Sequence, residues 1–414
     1  MSSSPIGSVL DEFADALPPV GGDLLPVTDG DRRLLVEALA AVRDPRRRRG
    51  VRYPFLPLLS TVVCAMLTGA RSFAAIGEWV ADLPDPARVR LGLTGAVPDS
   101  TTIWRVLIAV DAEALQAAIG GWIRARLEHL QTRTGQVARP GRRPRRVLAV
   151  DGKAMRATRH GADPVHLMAA LDHATAVVVA QVGVDAKTNE IPCFSTLLDQ
   201  IENLEEVVIT ADAMHAQTAH AEYLHARGAH LLVTVKGNQP SLRNRLKGLP
   251  WTQVPIGHTN TGRAHGRIEK RTLKAVTVPA GLGFPHAAQA IQVIRKTRPI
   301  KQATGTRARW RTETVYAICT LPAEAAHPTE LATWIRGHWS IENRLHWVRD
   351  VTLGEDLHQA RTGNGPRVMA TFRNLVISLL RLTGHTSIAR ALRHHARHPE
   401  QAITLLTSAN TTTQ

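Results

Sequence analysis

Apolar residues are spaced in a helical period over the first third of the chain and fall into short runs from residue 147 onward. A repeat of three to four residues is what an amphipathic helix needs to bury one face. Asp31-Arg-Arg-Leu-Leu-Val-Glu-Ala-Leu opens one such segment, residues 55–70 form a long apolar stretch, and 71–82 form a third. Asp99-Ser-Thr-Thr offers capping oxygens ahead of a helix over 103–108, and Asp111 begins another that reaches Leu130. Leu83-Pro-Asp-Pro and residues 92–98 read as turns between them.

From 147 the pattern alternates strands and helices. Strands are predicted at 147–150, ending at Asp151, and at 166–171 and 177–184, with a turn around Asp172-His173. A helix follows at 194–201, a strand at 207–211 ending at Asp212, a helix at 215–227 stopping at Gly228, and a strand at 230–235. Three strands, a helix, a strand, a helix and a strand is the element order of an RNase H-like core, an analogy of fold and not of function. Between 240 and 328 the pattern turns to strand-like pieces at 272–278, 290–294 and 314–319, read as a β-rich insertion. Helical spacing returns at 329, runs past Asp350, and closes the chain at 366–382 and 387–395.

The predicted architecture is α/β: an RNase H-like catalytic core, a mixed five-stranded sheet with flanking helices, carrying a β-rich insertion and preceded by a small all-α domain. The expected boundaries are a loose tail at 1–30, a helical domain at 31–135 suited to DNA binding, a basic Pro/Arg linker at 136–146, the core at 147–395 and a tail at 396–414.

Charge narrows the class of partner. Lys and Arg total 51 against 35 Asp and Glu, a formal net charge of +16. Such a surface attracts polyanions, and nucleic acid is the commonest one, with a membrane surface as the alternative. Residues 55–70 contain Pro57, Ser60, Thr61 and Thr68 and fall short of the ~20 residues a membrane span needs. A buried helix is expected there, and no membrane anchor. The N-terminus lacks a basic segment followed by an apolar core, so it does not read as a signal peptide. Cys64, Cys193 and Cys319 stand apart with no Cys-x-x-Cys pair. That argues against a disulfide framework and a cysteine zinc site, and it fits a reducing cytoplasm.

Asp151 and Asp212 each end an apolar strand. If those strands are neighbours, both carboxylates emerge at one sheet edge, where two negative charges tolerate each other through a shared cation. Hard oxygen ligands select Mg²⁺ or Mn²⁺. Capping a turn is the bland alternative for each aspartate. Glu342 lies in His338-Trp-Ser-Ile-Glu-Asn-Arg-Leu-His-Trp-Val-Arg-Asp350, where helical steps of four, four and three put His338, Glu342, His346 and Arg349 on one face. That mixture is unlike a core or an ordinary solvated face, and its spacing is not the His-Glu-x-x-His zinc pattern. Lys153, Lys236, Asn238, Gln239, His265 and Arg267 are candidates for contacts with DNA or support of the site, against the alternative of ordinary turn residues, and His338, His346 and Arg349 are candidates for the same role.

Taken together, the motifs resemble the DDE transposases of bacterial insertion sequences, in the subgroup related to the H-repeat-associated proteins. The likeness runs from about Leu34 to Leu406. It is carried by Arg49-Gly-Val-Arg-Tyr-Pro, Ala70-Arg-Ser-Phe-Ala-Ala-Ile-Gly-Glu-Trp, Asp151-Gly-Lys-Ala-Met-Arg, Ala211-Asp212-Ala-Met-His-Ala-Gln, Lys236-Gly-Asn-Gln, His265-Gly-Arg-Ile-Glu-Lys-Arg and the segment around Glu342, with Glu355-Asp356 behind it. The resemblance implies catalytic, metal-binding Asp151, Asp212 and Glu342, two Mg²⁺ ions with Mn²⁺ as a substitute, and action on double-stranded DNA. The DNA would be the terminal inverted repeats of the protein's own element and a target, with a homodimer bringing two ends together in a bacterial, nucleoid-associated setting. In the wider superfamily the third motif carries Tyr, Arg and Lys. Here Ile335 and His338 stand near the first two, and Arg349 stands at the third. A decayed relative that only binds DNA ends, and a metal-dependent nuclease without joining activity, are the competing readings.

Overall fold

The computed structural model describes residues 27–49, 51–134, 145–158, 164–185, 188–264, 266–279, 281–300 and 309–407. The first helices are α1 (Asp29–Ala40), α2 (Phe55–Leu67), α3 (Phe73–Ala81), α4 (Asp85–Arg90), α5 (Ser100–Leu107) and α6 (Ala112–Thr134). Short polar side chains start several of them, by satisfying amide N–H groups that have no partner within the helix. Thr28 and Asp31 form a reciprocal capping box on α1, Ser72 caps α3, and the Asp99 carboxylate accepts from the Thr102 amide at 2.6 Å. The apolar stretch became α2, with Leu58–Leu67 buried throughout. Among the described residues no single helix is long and apolar enough to cross a membrane.

The strands are β1 (Val147–Ala154), β2 (His166–Asp172), β3 (Val178–Val184), β4 (Val208–Ala211), β5 (His230–Val235), β6 (His258–Ala264), β7 (Arg267–Thr277), β8 (Gln289–Pro299) and β9 (Arg311–Cys319). Between and after them lie α7 (Cys193–Asp199), α8 (Thr218–Ala226), α9 (Pro240–Lys247), α10 (Pro328–His338), α11 (Gly365–Leu382), α12 (Ile388–Arg397) and α13 (Pro399–Thr404). The protein is a mixed α/β molecule with an extensive sheet. Several segments differ from the sequence reading: β1 runs past the predicted end at Asp151 to Ala154, and helix α9 opens the segment read as strand-like pieces. Residues 396–414 were expected as a tail, but α13 forms within them and buries Ala402 and Ile403. Strand β6 escaped notice because His258-Thr-Asn-Thr-Gly-Arg-Ala carries no apolar alternation to mark it.

Two compact units make up the chain. One comprises Arg145–Asp151 and Glu202–Trp339. Its strands run in the order β1-β4-β5-β9-β8-β7-β6, with β1, β4 and β5 parallel and the rest antiparallel. The β-rich insertion is therefore a continuation of the sheet, since β9 pairs with β5 through Leu232↔Cys319 to Val235↔Tyr316. Side chains alternate between faces along a strand, and both faces are covered. Leu232, Ile291, Ala317 and Cys319 pack with Leu331 and Trp334 of α10, while Val235, Ala290, Tyr316 and Ile318 pack with Leu242 and Leu246 of α9. A sheet buried on both sides reads as continuous apolar runs, which is how β4 and β5 appeared in the sequence.

The other unit holds the described residues up to 134, Gly152–Ile201 and those from 340 on. Here β2 and β3 form an antiparallel pair, packed against α6 and α11. Helix α11 is buried all round, including Thr371, Arg373, Asn374, Ser378 and Arg381. Several of its polar groups have partners: Ser378 accepts from the Val178 amide, and Asn374 donates to the Gln181 side-chain oxygen at 2.6 Å. Buried polar groups without such bonds would be costly.

Candidate active site

β1 leaves the core at its own midpoint: Val147–Val150 are buried, and Asp151, Gly152 and Lys153 are half-buried. β4 lies beside it in parallel, with Val150 opposite Ala211. The residues that follow, Asp151 and Asp212, leave neighbouring strands about 4.8 Å apart at the same sheet edge. The condition set by the sequence reading is met. The Asp212 carboxylate accepts from the Met214 amide at 2.9 Å and caps the short turn Ala213–His215. Asn238 and Gln239, just beyond β5, donate their side-chain amides to the carbonyls of Ala213 and Ala216 at 2.5 and 2.9 Å. These N–H groups brace the turn behind Asp212. His338 meets the Thr210 hydroxyl at 3.2 Å, and burial lowers its pKa to about 4, leaving it neutral at physiological pH. As a cation for DNA phosphate it is therefore unsuited; its contact steadies β4 one turn of the pleat before Asp212.

The third motif departs from the expected single face. Helix α10 ends at His338, and the chain resumes with i→i+5 turns over Glu342–His346 and Val348–Thr352. A π turn holds more residues than an α turn, so steps of four and three no longer stack, and such turns concentrate at functional sites. Glu342 is exposed, and its Oε2 meets His346 Nδ1 at 3.1 Å. That hydrogen bond holds the Glu342 pKa below the usual range against the opposing effect of burial. Burial likewise lowers the pKa of His346.

Arg349 differs most from expectation. It is 0 % exposed, its Nε and Nη2 are spread over both Glu355 oxygens at 2.8 to 3.1 Å, and its Nη1 reaches Gln181. With its donors turned inward, it supports the segment and does not face DNA. Lys153 also has an internal partner, Asp350 at 2.6 Å, whose pKa burial raises and Lys153 opposes. Asp350, Glu355 and Gln181 were not singled out in the sequence; the spacing of Lys153 and Asp350 along the chain gave no sign that they pair. Gly152 is explained by Glu190. A Cβ at 152 would overlap the Glu190 carboxylate, which is held by His166 Nε2 at 2.9 Å. Lys236 and Arg267 are exposed, and His265 lies outside the described residues.

Glu342 and His346, joined by their hydrogen bond, offer a carboxylate oxygen and a ring nitrogen side by side. Carboxylate oxygens and an imidazole nitrogen are donors of the kind that fit a divalent cation.

Comparisons with known proteins agree with this reading of the motifs. The family model "Transposase DDE domain" matches residues 142–379, and a second, "DDE_Tnp_1-associated", matches 36–123. The protein named "Putative transposase YncI" of Escherichia coli O157:H7 is 26% identical over 368 residues, 84% of this chain and 87% of that protein. The "H repeat-associated putative transposase YhhI" of Escherichia coli (strain K12) is 25% identical over 362 residues, covering 84% and 90%. A piggyBac transposase synaptic complex with hairpin DNA aligns with a TM-score of 0.40 at 11% identity, covering 94% of this chain and 85% of that one. The match over residues 142–379 spans the strands that bear Asp151 and Asp212 and the segment that bears Glu342, and the chain belongs to the Transposase DDE domain family.

Proposed function

We propose that the protein is a DNA transposase that cleaves the ends of its own insertion sequence and joins the freed 3′-hydroxyls to target DNA. In this reading β1–β5 are the strands of an RNase H-like core, and Asp151, Asp212 and Glu342 are the catalytic, metal-binding carboxylates. The observation that carries it is the parallel pairing of β1 with β4, which brings Asp151 and Asp212 to one sheet edge in a chain of this family.

Two divalent ions held there, Mg²⁺ or Mn²⁺, would activate the attacking oxygen and stabilise the leaving one. His346 orients Glu342 through their 3.1 Å hydrogen bond. Asn238, Gln239 and His338 hold the end of β4 and the turn after it, so that Asp212 is presented from a fixed backbone. The exposed cations Lys236, Arg267 and Lys270, with Lys296 on β8 and Arg311 on β9, supply phosphate contacts to double-stranded DNA. Synapsis of two ends calls for a homodimer.

The test is cleavage of a duplex carrying the DNA that flanks the gene. Wild-type protein in Mg²⁺ is expected to nick it at the element boundary, and Asp151→Asn to bind it as well while cutting at least ~10²-fold more slowly. Undiminished cutting by that variant refutes the assignment. Binding without nicking by the wild type supports instead a decayed end-binding relative, and nicking without strand transfer a nuclease.

A further inference from the structure

Lys153 and Asp350 form an ion pair at 2.6 Å, with side chains 9% and 23% exposed. Lys153 follows Asp151 by two residues on β1, so the two side chains leave the same face of the strand. Asp350 sits in the second π-wound stretch, on the helical segment whose first stretch carries Glu342 and His346. Its neighbour Arg349 is clamped inward by Glu355 and Gln181. The Val348–Thr352 stretch is therefore held from two sides: by Arg349 to the buried core and by Asp350 to β1. Neither anchor is one of the carboxylates proposed as metal ligands.

We propose that the Lys153–Asp350 ion pair is a strut that holds the helical segment bearing Glu342 and His346 against the last residues of β1, with Asp350 a positioning residue for the metal ligand Glu342. The proposal rests on the functional reading above. A metal site needs its ligands held to within a few tenths of an ångström. A half-buried charge pair on the segment that bears Glu342 supplies that constraint where water would otherwise let each side chain wander. Asp350, already neutralised by a lysine, is a poor ligand itself. Lys153, already paired, is not poised for phosphate.

The experiment is titration of Mn²⁺ onto the full-length protein, with free Mn²⁺ read by electron paramagnetic resonance and folding checked by circular dichroism. Asp350→Asn and Lys153→Met are expected to weaken Mn²⁺ binding by about tenfold or more, as loss of outer supporting partners does at other metal sites. Lys153→Arg, which keeps the charge, and the swapped pair Lys153→Asp with Asp350→Lys are expected to retain or recover most of the affinity. Wild-type affinity in folded Asp350→Asn and Lys153→Met, with Asp151→Asn weakened, overturns the strut and leaves the functional reading standing. Wild-type affinity in Asp151→Asn as well overturns both. If Lys153→Met instead lowers only the salt dependence of binding to random-sequence duplex, by a slope of about one, Lys153 serves a phosphate and the strut is wrong.

Discussion

Replacing Glu355 by glutamine gives the sharpest view of how the third motif is held. Glu355 is 2 % exposed and lies between two guanidinium groups, Arg349 at 2.8 Å and Arg373 at 3.2 Å, themselves 0 % and 1 % exposed. Glutamine keeps the shape and removes the carboxylate charge that both cations share. Removing one partner of a buried pair costs about 3–5 kcal/mol, because the remaining charge has lost its water and gained nothing. Against a total stability of roughly 5–15 kcal/mol, that is a third or more of the margin. Equilibrium urea unfolding followed by circular dichroism should report a loss of this size. Adding Arg349→Met removes one of the stranded cations, so the double variant should be more stable than the sum of the single losses by about 1–3 kcal/mol. An Arg349→Lys change would not substitute, since a single ammonium cannot span both Glu355 oxygens and reach Gln181. The reasoning is refuted if Glu355→Gln lies within about 1 kcal/mol of wild type, or if the two changes add to within about 0.5 kcal/mol.

Two further outcomes follow from the same packing. Gly152→Ala drives a methyl group into the Glu190 carboxylate and should cost about 1–3 kcal/mol as overpacking does. Thermal denaturation checks it: Glu190→Ala should restore most of the loss, and a Gly152→Ala protein as stable as wild type contradicts the explanation. His230, His338, His358 and His395 have pKa values lowered by burial from 6.5 to about 4. The unfolded chain therefore binds more protons than the folded one between those values. Stability should be flat above about pH 6.5 and fall as pH drops toward 4, by at most about 1.4 kcal/mol per pH unit for each histidine and less for those near solvent. Urea midpoints that hold steady or rise from pH 7.5 to about 5 would rule this out.

Much of the local structure was legible because its causes are local. The capping oxygens of Asp99 and Asp111, the stop at Gly228 with φ of 65°, and the apolar runs of β4 and β5 act within a few residues of themselves. Asp151 in β1 and Asp212 just past β4 could be read as one candidate site because strand direction and alternation depend only on backbone geometry. The third motif was legible as a site but not as a shape. Nothing in the spacing of His338, Glu342, His346 and Arg349 distinguishes α from π winding, and the winding decides which of them face solvent.

Composition and pattern alone thus determined a basic α/β protein with two strand-end carboxylates and a third acid in a His- and Trp-rich segment, since these follow from residue type and short-range sterics. Only the fold decided that the insertion extends the sheet through β9, and that Arg349 is spent on Glu355, Lys153 on Asp350 and Asn238 on a backbone carbonyl. Those outcomes depend on partners far apart in the chain, whose desolvated charges and polar groups must be matched. Residues such as Lys153 and Asp350 carry no mark of that pairing until the elements pack together.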